Sequence, residues 1–161
     1  MISMLSLAAL TLFPALWMAT GALDNIRHPD LNRQVVSRVM RLELMEQQYP
    51  DDFARISHRR IKSDGLIRFL FGIIVLAELT AALLLLAGAI GLGLAAIGAA
   101  DLATMRDIAL AGAVVFTGVW AGFLAGGNYF CYYFCHFEGQ FTHFCLAIWG
   151  AITCGILILA V

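Results

Sequence analysis

The sequence predicts an all-α fold, a bundle of four transmembrane helices with an amphipathic helical segment between the first two. Three observations predict it. Apolar side chains make up 61% of the 161 residues and charged ones 13%, with a mean hydropathy of +0.86, far from the soluble norm. Several apolar runs reach the roughly 20 residues that cross a hydrocarbon core, and none of the first 23 residues carries a charged side chain. Finally, Asp24 to Asp64 gathers eight of the ten basic and seven of the eleven acidic residues, leaving the rest of the chain to lipid.

The first span is placed at about residues 4–23. It lacks the basic start and small-residue cleavage site of a secretory signal, so it is expected to be retained. Pro14 in its middle removes an amide donor and predicts a kink near Leu10 to Pro14. From 24 to 65 the chain turns polar without losing order. Leu31, Val35, Val36, Val39, Met40, Leu42 and Met45 recur at helical spacing, which predicts an amphipathic helix over 31–48. Asp30 is its expected N-cap and "QYPDD" its end, with Asp51 or Asp52 capping a second segment that leads toward the next span.

The second span covers about 66–90 and loosens into a glycine-rich turn; Asp101, Arg106 and Asp107 mark the short polar connection. A third, about 108–130, carries Gly118, Gly122 and Gly126 at i+4 spacing, which predicts close helix packing, against either another span or a different subunit. The fourth, about 144–161, adds Ala151 and Gly155 as a further small pair. Four crossings put both termini on one side and the charged segment with the "NYFCYYFCHFEGQFTHFC" stretch on the other.

The order of "DNIRHPDLN", "HRRI", a span with "AEL", a glycine-rich turn and "GGNYF" resembles a widespread bacterial family of small four-span integral membrane proteins of unknown function. The resemblance covers most of the chain. It implies a multi-pass protein of the bacterial inner membrane, and it puts Asn25 in the family's Asn-rich end of span one, Glu78 on a family glutamate, and Gly126, Gly127, Tyr129 and Phe130 on a glycine pair with aromatics. Asn128, Cys131 and Cys135 depart from the family pattern. The excess of Lys and Arg in 24–65 would place that segment in the cytoplasm, whereas the resemblance implies a cytoplasmic N terminus and a periplasmic 24–65 segment; the latter orientation is adopted.

Glu78 is the sharpest single residue, because an ionised carboxylate inside a span must be paired, protonated or turned to a polar cavity. Its expected partners are Thr80 of a neighbouring copy or Thr117 of the third span. Cys131, Cys135, His136, His143 and Cys145 offer thiolate and imidazole ligand types, but their spacing is neither that of zinc knuckles nor of covalent haem attachment. No metal and no cofactor is expected; the stretch reads as an interfacial aromatic collar, with a pairing of Cys131 or Cys135 to Cys145 left open. Near-zero net charge argues against nucleic acid.

With no self-contained catalytic set, the chain is expected to be no enzyme and to take no small-molecule substrate. It reads as an accessory or stabilising subunit of a larger membrane complex, a respiratory or other redox assembly being the expectation. Arg33, Arg38, Arg41, Arg59 and Arg60 are the expected contacts to a partner or to membrane lipids, anionic ones among them. The alternative is a small homo-oligomeric proton-coupled transporter or channel using Glu78 from each copy.

Overall fold

Each apolar run forms one long helix in the computed structural model, which describes residues 2–160. The crossing helices are α1 (Ile2–Arg27), α5 (Asp64–Ala96), α6 (Leu102–Tyr129) and α8 (Phe137–Leu159). Between α1 and α5 lie α2 (Pro29–Met40), α3 (Glu43–Gln48), α4 (Pro50–Ile56) and a 3-10 turn, Ser57–Arg59; α7 (Tyr132–Cys135) precedes α8. No strand occurs among the described residues. All four long helices have the length and hydropathy of membrane spans. The protein is therefore all-α with four transmembrane helices.

The long helices extend past the expected bounds at most ends, because polar residues next to an apolar run continue the backbone ladder until a cap stops it. Asp101 supplies such a cap for α6, accepting from Thr104 N at 2.8 Å and Thr104 Oγ1 at 2.6 Å. These bonds hold its carboxyl below the usual carboxylate range. Ser63 caps α5 through Leu66 N. Helix α1 runs unbroken through Pro14, whose ring is buried.

Packing is densest along α1/α5, α5/α6 and α6/α8, while α1 and α8 touch little, chiefly where Trp17 meets Trp149 edge-on at 6.4 Å. Glycine permits the two closest seams. A Cβ on Gly88 would lie 2.5 Å from Ala109 Cα, and one on Gly112 would lie 2.7 Å from Leu85 N, so α5 and α6 meet backbone to backbone. Gly150 does the same for α8, against Phe116 and Thr117. Leu85, Leu92, Ala109, Ala113, Phe116 and Leu157 fill the core between these seams.

The charged segment differs from the expected single helix. It breaks at Leu42, whose backbone is left-handed (φ 54°), so 31–48 becomes α2 and α3. Pro29 and Pro50 take the first helical positions, with His28 and Tyr49 as N-cap residues. Asp30, Asp51 and Asp52 therefore sit inside the first turns, where their charge suits the helix dipole, and are not the caps. The strained Leu42 is held because its side chain is 2% exposed, packed with Met45 and Cys131 and flanked by Phe53, Ile56, Phe130 and Cys135. This small second core docks the charged segment onto the α6–α8 connection as a cap.

Candidate functional site

The helix ends on the cap side are uneven, and that unevenness makes a chamber. From Glu78, α5 continues 14 residues to Asp64, about 21 Å at 1.5 Å per residue. From Asn25, at the same level, α1 continues two residues to Arg27, about 3 Å. The space above the end of α1 is roofed by α2 through Val35, Val36, Val39 and Met40, leaving a cavity of 670 Å³ between roof, α1, α5, α6 and the start of α8. That volume lies within the range of small-molecule pockets.

Glu78 stands in its wall, 6% exposed. Asn25 Nδ2 donates to Glu78 Oε2 at 2.7 Å, and Asn32 Nδ2 donates to Asn25 Oδ1 at 2.6 Å. Asn25 presents its amide nitrogen to the carboxyl and its carbonyl oxygen to the roof, where Asn32 donates to it. The chain Asn32–Asn25–Glu78 thus ties α2 to the carboxyl. The second oxygen, Oε1, has no hydrogen-bond partner and is not closed off inside the protein, so it faces the cavity. Thr117, the partner expected within the chain, donates instead to the Ala113 carbonyl of its own helix, and this chain's Thr80 likewise donates to the Leu76 carbonyl.

Opposite the polar chain is an aromatic wall. His143 stacks on Phe123 (4.7 Å), Trp120 (5.5 Å) and Tyr132 (5.9 Å), and Tyr132 stacks on His136 (4.9 Å). Trp120 Nε1 and His143 Nδ1 are buried without a partner. Gly118, Gly122 and Gly126 line the same chamber, and a Cβ at any of them would meet nothing within 4 Å. Within this chain they open space and do not pack helices; Gly88, Gly91, Gly112 and Gly150 do the packing. Ala151 is exposed, and Gly155 also has nothing within reach of a Cβ, so that pair meets no other helix of the chain.

The expected metal-ligand types do not converge. Among the described residues no group of three or more His, Cys, Asp or Glu forms a cation site. All four cysteines are free thiols. Burial, then the neighbouring Cys131, pushes the Cys135 thiol above its ordinary range; burial, then the Arg38 charge, holds His136 below the usual imidazole range. Both are thus uncharged at neutral pH.

Of the five arginines singled out, four engage the protein itself. Arg33 pairs with Asp30, Arg41 with Asp64, and Arg60 with Glu46 at 2.6 Å, while Arg59 donates to the Tyr129 carbonyl at 3.0 Å and lies over its ring. Arg38 makes no ion pair among the described residues. Sequence reasoning missed the chamber, whose lining comes from six helices between Trp17 and His143. The one available signal was Glu78 itself.

Four long apolar helices closing around a buried carboxyl define a multi-pass integral membrane protein. Residues 3–160 match the family model described as predicted small integral membrane protein (DUF2165), and the chain belongs to that family. No curated protein and no solved structure matches it.

Proposed function

We propose that the protein is a membrane-embedded, non-catalytic binding component whose working part is the roofed chamber at Glu78. The observation that carries this reading is the chamber's two-sidedness. A polar chain tied to the roof faces an aromatic and aliphatic wall in 670 Å³ of space, the pattern of a pocket that orients an amphipathic guest by one end. The i+4 glycines support it, since they keep side chains out of that space.

The test is saturable uptake of the neutral probe N-phenyl-1-naphthylamine by the protein in detergent, read by energy transfer from its tryptophans. Gly122→Leu, which puts a side chain into the chamber and leaves the α5/α6 seam untouched, abolishes the saturable signal. Equal uptake by wild type and variant contradicts the reading.

A second reading, the accessory subunit of a larger inner-membrane assembly such as a redox complex, is favoured by the uncovered Ala151 and Gly155 on α8. It is tested by whether the gently extracted protein co-migrates with a partner at fixed stoichiometry. The transporter alternative, a homo-oligomer using Glu78 from each copy, is tested by Glu78→Gln, which in that reading abolishes proton-coupled transport with assembly intact. We place the N terminus in the cytoplasm and the cap on the periplasmic face.

A further inference from the structure

The chamber's charge inventory is one-sided. Its ionisable lining includes the carboxyls of Asp24 and Glu78 and no lysine or arginine, although the cap directly above is rich in arginine. The guanidinium groups of Arg33, Arg41, Arg59 and Arg60 are turned to Asp30, Asp64, the Tyr129 carbonyl and Glu46, and Arg38, on the roof helix without an ion pair among the described residues, lines a neighbouring crevice with His136 and not the chamber. An anionic head, a phosphate above all, would find carboxylates and no cation to pair with.

Glu78 receives a single hydrogen bond, from the neutral Asn25 amide, and leaves Oε1 open to the chamber. A carboxylate in a low-dielectric site with one of its two oxygens unpartnered is completed by a positive charge. Trp120, Phe123, Phe130 and Tyr132 line the same chamber, and aromatic side chains cover apolar bodies and favour a nearby cation. Carboxyl groups, aromatic rings and glycines that leave space, all lining one cavity, form a receptor for a charge carried inside a hydrophobic molecule. We infer that the chamber binds lipophilic organic cations, held by Glu78 and Asp24 at one end and by the aromatic wall around the rest.

This inference rests on the reading of the chamber as a binding site, and the test separates the two. Tetraphenylphosphonium and tetraphenylborate share size and shape and differ in sign. Titrated calorimetrically into the full chain in detergent, tetraphenylphosphonium binds at least tenfold tighter than tetraphenylborate. Glu78→Gln, close in shape to the native residue, removes that preference while the protein stays monodisperse; Asp24→Asn, at an exposed position, reduces it with less demand on folding. Gly122→Leu blocks tetraphenylphosphonium altogether.

Equal or reversed preference between the two ions overturns the inference, as does a preference that survives both Glu78→Gln and Asp24→Asn. If tetraphenylphosphonium fails to bind while N-phenyl-1-naphthylamine is still taken up, the cation inference falls and the chamber reading stands. If neither binds, both fall.

Discussion

Glu78 illustrates what a single residue discloses and what it withholds. A glutamate inside an apolar run announces a polar contact, because hydrocarbon offers a carboxyl nothing to bond. Its partner is 53 residues away in the chain, and no local periodicity encodes that pairing; Asn25 stood out only through a family resemblance. Within the chain, Thr117 and Thr80 give their hydroxyl protons to carbonyls of their own helices. Removing the amide tests the pairing. Asn25→Ala leaves Glu78 without a donor and Asn32 without its acceptor, with an expected loss of about 1–3 kcal/mol. A thermal-shift series in detergent should show a lowered midpoint for Asn25→Ala and a smaller one for Asn32→Ala, which breaks only the outer bond.

At the scale of elements, the four long helices were legible because apolar length alone decides them, and the cap was legible only as amphipathic. Its internal break was not. Leu42 looks like one more apolar position in a helical repeat, yet its left-handed backbone lets the chain turn so that Leu42 and Met45 reach Cys131. Helix propensity was overridden there by burial against the α6–α8 connection. The glycines were legible only as small residues: whether they admit another helix of the chain or leave space depends on which face of α6 meets α5, and within this chain they leave space.

The α7/α8 junction gives a pH signature. His136 is favoured neutral in the folded protein, by burial and by Arg38, whereas an unfolded imidazole takes up its proton near pH 6.5. As pH falls through about 6.5 the unfolded state binds more protons than the native one, so stability falls until the lower folded pKa is passed. Melts between pH 7.5 and 5.5 should show this decline, and His136→Gln should flatten it. Parallel curves for the two proteins would assign the decline to other groups.

For the whole molecule, the unequal lengths of α1 and α5 above the level of Glu78 connect fold to site. A short α1 leaves a vacancy that the amphipathic α2 folds over, so the charged segment becomes a roof, with Arg41, Arg59 and Arg60 tying its parts to one another and to α5 and α6. Engagement in those contacts is a physical reason for a basic segment to lie outside against the positive-inside tendency. Lys62 is the only lysine in the sequence and is exposed. A membrane-impermeant amine reagent should therefore modify Lys62 in intact spheroplasts, and modification only after lysis would reverse the orientation.

The most direct measurement is native mass spectrometry of the gently extracted protein beside Gly122→Leu. The wild-type chain should retain a non-covalent amphipathic molecule of defined mass at a stoichiometry near one, and the chamber-filled variant should fly without it. Identical spectra for the two chains, with only dispersed detergent and lipid adducts on both, would contradict the claim that the chamber at Glu78 is a binding site.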